Sequence, residues 1–345
     1  MRVALDATHS LGDRLTGVGV YSREILHGLA RDPSLETVWC YRPHRFFRSF
    51  RDTLAPRARR RPLFQSGFGL PRCDLFHGLN QRLPHSLSHI PAVVTFHDLF
   101  VLTGEYSTPE FRARFAAQAR DAAARAFCVI AVSRFTGDQV RDLLHVEPSR
   151  IHVVHHGVRA PAPPAAAVTR QPLILSVGAI QKRKNTLRLV EAFERTRPGW
   201  RLVLAGSCDG FEAQPVLERI ARSPRRADIE ITGWVGDAVL DDLYASASVF
   251  AFPSLDEGFG MPVLDAMSRG VAVVTSNCSA LPEVAGDAAM LVDPLDTDSI
   301  AHGLSLLMDD TGCREDLARR GLSRCQAFSW EKAVSETSDV YRRTI

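Results

Sequence analysis

Residues 252–270 read FPSLDEGFGMPVLDAMSRG, and this stretch decides the fold class. It predicts a buried strand that ends at Phe252, a glycine-spaced loop, and a helix with Pro262 at its first position, where proline is favoured. Gly270 supplies the expected stop at the carboxyl end of that helix. A strand, loop and helix in this order form half of a βαβ unit, which predicts a parallel sheet covered by helices.

Short runs rich in Val, Ile and Leu alternate with amphipathic helical stretches along the whole chain. Such alternation predicts an α/β protein with parallel sheets. The predicted strands lie at 3–5, 37–41, 74–77, 92–96, 127–132, 151–155, 173–177, 201–205, 229–232, 249–252 and 271–275. We expect two doubly wound, Rossmann-like domains that face each other across a cleft, because such sheets bind ligands at the carboxyl ends of their strands.

A chain of 345 residues is long enough for two domains with separate cores. A Pro- and Ala-rich stretch without apolar periodicity divides the two series of strands and is typical of a linker. We predict an N-terminal Rossmann-like domain at 1–160, a linker at 161–171, a C-terminal Rossmann-like domain at 172–328, and a C-terminal helix at 329–345 that packs back toward the N-terminal domain. Trp330 is expected to anchor this last helix.

The two halves differ in charge. Residues 1–160 hold 22 Arg, no Lys and 14 acidic residues, a net charge of about +8, whereas residues 161–345 hold 20 basic and 25 acidic residues, a net charge of −5. A basic first half suggests an anionic partner there, such as a phosphate or a membrane surface.

Cysteine usage and the N-terminal sequence indicate the compartment. The seven cysteines are scattered without a C-x-x-C pair, which argues against a disulfide framework and against a structural zinc site. The N-terminal sequence has no signal-peptide pattern, and no apolar run reaches the roughly 18 residues of a membrane helix. These features favour a cytoplasmic protein.

The loop within residues 252–270 has the character of an anion site. It leads into a helix N-terminus with free backbone N–H groups, and Gly258 and Gly260 allow a ligand to approach the backbone closely. Glu257 and Asp265 bracket the loop and can accept hydrogen bonds from hydroxyls at two places on one extended ligand. A plain strand–helix turn with a capping acid is the alternative that this stretch alone leaves open.

A second stretch, residues 176–186 (SVGAIQKRKNT), follows another predicted strand and opens another helix. It lacks the P-loop pattern, but it places Lys182, Arg183 and Lys184 beside a helix N-terminus, where they can bind phosphate oxygens. The chain has three Lys against 39 Arg, and two of those three Lys lie here. This bias favours a specific role over a solvated basic turn.

Seven segments, in order along nearly the whole chain, resemble those of the retaining glycosyltransferases of family 4, which have the GT-B fold. Residues 177–185 resemble the phosphate-binding segment of that family. Residues 257–265 (EGFGMPVLD) resemble its E-x7-E signature, with Asp265 in place of the second Glu. The other five segments are 15–21 (LTGVGVY), 95–99 (TFHDL), 131–136 (AVSRFT), 155–158 (HHGV) and 281–289 (LPEVAGDAA).

The resemblance implies a role for each matched residue. Arg183 and Lys184 would hold the donor diphosphate, and Glu257 would contact hydroxyls of the donor sugar. Asp265 would bind the ribose hydroxyls of the nucleotide, although its side chain is one methylene shorter than the Glu of the family. His97 would approach the donor sugar from the N-terminal, acceptor-side domain. The other donor-binding residues would be Gly17, Gly19, Val235, Gly258, Phe259, Gly260 and Met261.

The implied reaction is a front-face substitution that retains the configuration of the sugar carbon, in which the leaving diphosphate takes the proton of the acceptor. The cationic clamp and a helix N-terminus would stabilise the leaving group without a metal or another cofactor. Asp296-Thr-Asp298 has the spacing of a metal-binding Asp-x-Asp, but it precedes an apolar helix. We therefore predict a helix cap there rather than a metal site.

The 15–21 and 181–185 segments most resemble those of bacterial mannosyltransferases of polysaccharide assembly. This implies GDP-mannose as the donor and a glycan or a lipid-diphosphate-linked acceptor. A UDP-sugar-dependent transferase of the same fold and a non-catalytic nucleotide-sugar-binding subunit remain open. The rival enzyme class of the same fold is a sugar phosphorylase or a nucleotide-sugar epimerase. A phosphorylase needs a cofactor lysine in the second half, where the only lysines are Lys182, Lys184 and Lys332, and the first two are already assigned to the phosphate-binding segment.

Basic and aromatic residues interleave at 41–51 (YRPHRFFRSFR), and Arg57, Arg59, Arg60 and Arg61 follow. This composition suits an anionic membrane surface or a lipid-diphosphate acceptor. A solvated basic loop is equally compatible with it. No recognised nucleic-acid-binding module accompanies the stretch, so we expect no nucleic-acid partner and, at most, peripheral contact with the inner face of a membrane.

Overall fold

The computed structural model describes residues 1–12, 14–51, 58–87, 89–159 and 169–345. Their contacts form two compact units. The first unit comprises Met1–Gly104, Pro109–Gly157 and Ser329–Ile345, and the second comprises Glu105–Thr108 and Val158–Phe328. Most of the predicted linker, residues 161–168, lies outside the described residues.

Each unit is built on a parallel sheet. The strands of the first unit are β1 (Arg2–Asp6), β2 (Glu36–Tyr41), β3 (Arg59–Pro62), β4 (Leu75–Gly78), β5 (Ala92–Phe96), β6 (Cys128–Ala131) and β7 (Ile151–Val153). Those of the second unit are β8 (Gln171–Val177), β9 (Arg201–Ala205), β10 (Ile229–Gly233), β11 (Ala247–Phe252), β12 (Ala272–Ser276) and β13 (Met290–Val292). The central strands are buried on both faces, which explains their continuous apolar sequences.

Helices connect the strands and cover the sheets. In chain order they are α1 (Gly17–Leu29), α2 (Pro43–Ser49), α3 (Phe100–Thr103), α4 (Pro109–Arg125), α5 (Arg134–Leu144), α6 (Thr186–Glu194), α7 (Ala213–Ala221), α8 (Asp237–Ser246), α9 (Met261–Ser268), α10 (Leu281–Ala285), α11 (Thr297–Asp309), α12 (Thr311–Cys325) and α13 (Trp330–Thr344). None of the helices in the described ranges combines the length and the apolar character needed to cross a bilayer.

The strand order of each sheet reverses once. It is β3-β2-β1-β4-β5-β6-β7 in the first unit and β10-β9-β8-β11-β12-β13 in the second. The reversals lie between β1 and β4 and between β8 and β11, and loops that follow such strands leave a crevice at the carboxyl edge of the sheet. The loops after β8 and β11, which carry the two motifs of the second half, are therefore neighbours.

The helix after β11 begins at Met261, one residue earlier than predicted, and Pro262 occupies its first turn. Gly260 caps it in the left-handed region at φ +102°, and Gly270 ends it at φ +63°. The predicted cap at Asp296 is confirmed, because its side chain accepts a hydrogen bond of 2.9 Å from the backbone N–H of Asp298. Asp296-Thr-Asp298 thus serves the N-terminus of α11.

Two parts of the basic stretch of the first unit form regular secondary structure. Residues Pro43–Ser49 form α2, and Arg59–Pro62 form β3, the outermost strand of the described sheet, which pairs with β2. The interpretation as a solvated loop is wrong for these residues, because an edge strand has one unpaired side and can carry exposed arginines in alternation. Arg57 lies outside the described residues.

The C-terminal helix α13 is part of the first unit, although it follows the second unit in sequence. It packs on α1 so closely that a Cβ atom on Gly28 would lie 2.2 Å from Cγ2 of Val334. Trp330, at the start of α13, is buried among the residues of this unit. A Cβ atom on Gly157 would lie 2.3 Å from the backbone nitrogen of Trp330, so the helix start is fixed by backbone contact.

Candidate active site

Arg183, Lys184 and Glu257 meet in one ion-pair network. Arg183 and Lys184 lie in a short 3-10 helix after β8, and Glu257 lies in the loop after β11. One carboxylate oxygen of Glu257 is 2.8 Å from Nη1 of Arg183 and 2.7 Å from Nζ of Lys184. The three side chains are only 10–16% exposed, so the network is shielded from water and its charges interact strongly.

The charge state of Glu257 follows from its two partners. Burial raises the pKa of Glu257, but the charges and hydrogen bonds of Arg183 and Lys184 outweigh this effect and hold the pKa at about 2. The carboxylate is therefore ionised at every physiological pH. Two charge-assisted hydrogen bonds on one oxygen also reduce its strength as a nucleophile and as a base.

The two loops are joined by further hydrogen bonds. Asn185 adopts the left-handed conformation at φ +58° and donates its side-chain amide to the carbonyls of Pro253 and Pro294, at 3.0 and 2.7 Å. Arg183 donates to the carbonyl of Asp256 at 2.5 Å. Nζ of Lys184 lies 4.4 Å from the centre of the Phe252 ring. These contacts fix the cations relative to the glycine loop.

The glycine loop itself is buried and braced from behind. Gly258, Phe259 and Gly260 are all buried, and a Cβ atom on Gly260 would lie 2.7 Å from Cδ2 of Leu281 in α10. The backbone N–H of Glu257 donates to Oγ of Ser279 at 3.2 Å. The LPEVAGDAA segment at 281–289 thus supports the loop through α10.

Asp265 lies on α9 and is paired differently from Glu257. Its carboxylate is 3.8 Å from Nη1 of Arg269, and Arg269 also forms an ion pair with Asp241. Burial raises the pKa of Asp265 to about 6, while 32% of the side chain remains exposed and available to a ligand. Val235, in the loop between β10 and α8, is half-buried beside the exposed ring of Trp234.

The first unit holds His97, Gly17 and Gly19. His97 follows β5 and is buried, and burial lowers its pKa to about 4, so it is neutral at pH 7. Its Nε2 is 2.9 Å from the carbonyl of Leu79. Because a carbonyl only accepts, Nε2 carries the proton, and Nδ1 keeps a lone pair that can accept a hydrogen bond.

Gly17 and Gly19 open helix α1. Gly17 is the exposed first residue, and the preceding Thr16 makes no side-chain cap. Gly19 is buried, and a Cβ atom there would lie 3.0 Å from the carbonyl oxygen of His9. Glycine is therefore needed at position 19 for packing. Gly17 occupies the exposed start of α1.

A buried polar chain that the sequence did not reveal lies behind His97. Nδ1 of His77 is 2.6 Å from the hydroxyl of Tyr341, and Nε2 of His77 is 2.8 Å from Oγ1 of Thr95. The Tyr21 hydroxyl is 2.9 Å from the same Thr95 atom, and the Tyr21 ring meets the His97 ring edge-on at 4.7 Å. His77 and Tyr341 are 264 positions apart, so no sequence pattern links them.

Asn185, Ser279 and Tyr106 were also missed by sequence reasoning. Tyr106 belongs to the short segment Glu105–Thr108 that joins the second unit. Burial, followed by the charge of Asp256, raises the pKa of Tyr106. Within the described residues, no three His, Cys, Asp or Glu side chains cluster closely enough to hold a metal ion.

Comparison with known proteins identifies the family. Residues 4–160 match the family model described as Glycosyltransferase Family 4, and residues 162–324 match Glycosyl transferases group 1. The O-antigen chain mannosyltransferase B of Escherichia coli is 32% identical, over 97% of this chain and 98% of that protein. This chain is a family 4 glycosyltransferase.

Solved structures show that this glycosyltransferase has the GT-B fold. Sucrose-phosphate synthase from Thermosynechococcus elongatus aligns over 99% of this chain and 98% of its own with a TM-score of 0.81 at 20% identity. Anabaena HepE, solved in complex with UDP and glucose, aligns over 99% of this chain and 100% of its own with a TM-score of 0.79 at 15% identity. The predicted fold class and family are confirmed.

Proposed function

We propose that this glycosyltransferase moves mannose from GDP-mannose to a glycan or a lipid-diphosphate-linked acceptor with retention of configuration. The observation that carries the proposal is the contact of Glu257 with Arg183 and Lys184 beside the glycine loop. It brings two cations to the place where a diphosphate leaving group would gather negative charge. The similarity to an O-antigen chain mannosyltransferase supports mannose and polysaccharide assembly.

The chain's own residues divide the donor between them. Arg183 and Lys184 bind the diphosphate oxygens and stabilise their charge as the glycosidic bond breaks. Glu257 orients both cations and accepts hydrogen bonds from sugar hydroxyls. Asp265 accepts from the ribose hydroxyls. The backbone N–H groups of residues 258–261 donate to the sugar and the phosphates at the N-terminus of α9.

Retention is proposed to occur by front-face substitution. The low pKa of Glu257, about 2, and its two cationic partners make it a poor covalent nucleophile. The leaving diphosphate, held by the clamp, then receives the proton of the acceptor hydroxyl. His97 is assigned to a donor-sugar hydroxyl, for which the lone pair on Nδ1 is an acceptor. Its pKa of about 4 makes it a hydrogen-bond partner rather than a general base at neutral pH.

The proposed reaction needs no metal, because Arg183 and Lys184 supply the positive charge that a metal would otherwise bring to the leaving group. Transfer should continue at an unchanged rate in EDTA. Loss of activity in EDTA that Mg²⁺ restores would refute the metal-free mechanism.

We place the protein in the cytoplasm. The seven cysteines, all within the described residues, are free thiols, which agrees with a reducing compartment.

The donor base is tested by a thermal-shift panel of GDP, UDP, ADP and dTDP. A nucleotide present at 100 times its Kd adds about 2.7 kcal/mol of stability, which is a readable shift. We expect GDP to stabilise the protein most, because a site built for one base leaves buried polar groups unmatched with another. Stabilisation by UDP and not by GDP would favour the second candidate, a UDP-sugar-dependent transferase, which the fold of HepE with its bound UDP and glucose also suggests.

A further inference from the structure

Five arginines surround one cavity at the edge of the first unit's sheet. The cavity measures about 650 Å³ and is lined by Arg2, Arg59, Arg60, Arg61 and Arg72. Glu36 pairs with Arg2 at 2.9 Å and with Arg59, and Asp74 accepts from the backbone N–H of Arg2 at 2.7 Å. Among the described residues, these five arginines face the carboxylates of Glu36 and Asp74, so the described lining of the cavity carries an excess of positive charge.

Exposed phenylalanines flank the same edge. Phe47 on α2 is 80% exposed, Phe50 at the end of α2 is 61% exposed, and Phe68 in the turn after β3 is 78% exposed. The guanidinium of Arg60 on β3 lies 5.8 Å from the centre of the Phe50 ring, which joins the aromatic and basic groups. We name the region formed by α2, β3 and residues 64–72 the β3-edge surface.

The phenylalanines are presented by ordered backbone. Phe50 and Phe47 both contact Phe46 edge-on, with ring centres 5.3 and 5.6 Å apart. In the turn, Gly67 has φ +84°, and a Cβ atom there would lie 2.0 Å from the carbonyl oxygen of Ser86. The turn carrying Phe68 is thus held against residue 86, and exposing the rings is a property of the fold.

The β3-edge cavity lies away from the site residues of its unit. Arg2 and Arg59 are the first residues of β1 and β3, at the amino ends of these parallel strands. Gly17 and His97 follow the carboxyl ends of β1 and β5. A partner can therefore occupy the cavity without covering the loops that carry Gly17 and His97.

We propose that the β3-edge surface docks this enzyme on an anionic lipid bilayer. Guanidinium groups match lipid phosphates in geometry and charge, and phenylalanine rings insert at the boundary between headgroups and acyl chains. Large exposed aromatic side chains rimmed by cations are costly in water and are explained by a partner that is both apolar and anionic. A second copy of this positively charged face would repel it, which disfavours self-association.

The test is co-sedimentation of the full-length protein with vesicles of phosphatidylcholine alone or mixed with phosphatidylglycerol. One variant combines Arg59→Gln, Arg61→Gln and Arg72→Gln, and its matched control removes three exposed arginines of the second unit by Arg222→Gln, Arg319→Gln and Arg320→Gln. The other variant combines Phe47→Ser and Phe68→Ser. Its control combines Phe127→Ser and Leu295→Ser, whose side chains are 54% and 68% exposed elsewhere.

We expect the wild type to bind only the anionic vesicles. The β3-edge arginine variant should partition about 100-fold less and its control should match the wild type. The phenylalanine variant should dissociate from the anionic vesicles at a salt concentration at which the wild type remains bound. The rate of transfer to a water-soluble acceptor should be unchanged in all variants. A failure of the docking proposal can therefore be distinguished from a failure of the proposed function.

Three results would overturn the docking proposal. The first is a wild type that does not bind anionic vesicles. The second is equal binding by the β3-edge arginine variant and its control. The third is a phenylalanine variant that converts a dimer to a monomer in light scattering while it still binds vesicles in high salt, which would make the β3-edge surface an interface between copies of the chain.

Discussion

At Glu257, one carboxylate oxygen neutralises both Arg183 and Lys184. Replacing it by Gln keeps the shape of the side chain but leaves two cations for the diphosphate alone. We expect Glu257→Gln to lower the transfer rate by about 10²–10³-fold, while GDP binds as tightly as before or more tightly. Calorimetry with GDP and initial rates of transfer measure the two effects separately.

The control for Glu257→Gln is Glu212→Gln, because Glu212 pairs with the neighbouring Lys182 at 3.2 Å in an exposed position. Its transfer rate and its GDP affinity should match those of the wild type. If Glu257→Gln weakened GDP binding as much as it slowed transfer, the assignment of Glu257 to the sugar would be wrong.

Asp265 gives a second prediction at the scale of one residue. Its pKa is raised to about 6, so the carboxylate gains a proton as the pH falls below that value. An ionised carboxylate accepts stronger hydrogen bonds from ribose hydroxyls. The ratio of GDP affinity in the wild type to that in Asp265→Asn should therefore decrease between pH 7.5 and pH 5. A ratio that stays constant over this range would remove Asp265 from the nucleotide site.

At the scale of the loop, a substitution of Gly260 tests whether the backbone conformation of the glycine loop requires glycine at this position. Its φ is +102°, and a Cβ atom would meet Leu281 at 2.7 Å. Gly199 provides the matched control, since it has φ +90° with nothing within 4 Å of an added Cβ atom. Gly199→Ala should cost about 1 kcal/mol of stability through its conformation alone.

Gly260→Ala should cost more than Gly199→Ala and should slow transfer, because the loop must shift to relieve the contact with Leu281. Urea denaturation and initial rates measure these two effects. Equal destabilisation by the two substitutions, together with wild-type transfer in Gly260→Ala, would show that the loop tolerates a side chain at this position.

The elements with both faces buried could be predicted from the sequence, because such strands are apolar throughout. This is why the strands of both sheet centres and the helix after β11 were found near their observed limits. The edge strand β3 reads Arg59-Arg60-Arg61-Pro62, and its sequence resembles a solvated loop. Strand β13, Met290–Val292, was not among the predicted strands.

The residues of the candidate site could be proposed from the sequence, but the contacts between them could not. Arg183, Lys184 and Glu257 were each identified from the motifs, yet Lys184 and Glu257 are separated by 73 positions and meet because β8 and β11 are neighbours. The sequence suggested that Glu257 and the cations bind different parts of the donor. The structure adds that they also bind each other, which changes the expected effect of Glu257→Gln on nucleotide binding.

For the molecule as a whole, three buried histidines contribute to the response of the first unit to acid. Burial lowers the pKa of His77 to about 3, that of His97 to about 4 and that of His156 well below its usual value. In the unfolded chain each titrates near pH 6.5. The contribution of these histidines to the free energy of unfolding is therefore fully present above pH 6.5. It decreases as the pH drops toward 4, by up to about 1.4 kcal/mol per pH unit for each histidine.

Urea denaturation followed by circular dichroism at pH 7.5, 6 and 5 measures this loss of stability. His77→Gln should reduce the dependence on pH, whereas His302→Gln, on the exposed surface of α11, should not. The raised pKa of Asp265 has the opposite effect on the dependence of stability on pH over part of this range. The effect of this one carboxyl group is smaller than the combined effect of the three histidines. The same dependence on pH in His77→Gln and in the wild type would contradict the account.

Arg183 and Lys184 are proposed to stabilise a nucleoside diphosphate leaving group during sugar transfer. The most direct test is the initial rate of GDP release from GDP-mannose in EDTA, with a hydrophobic α-mannoside as the acceptor, for the wild type, Lys184→Met and the control Lys182→Met. We expect the wild type and Lys182→Met to turn over alike, and Lys184→Met to lose about 2–4 kcal/mol in kcat/KM, a factor of roughly 30–1000. Equal rates in Lys184→Met and the wild type would contradict the claim.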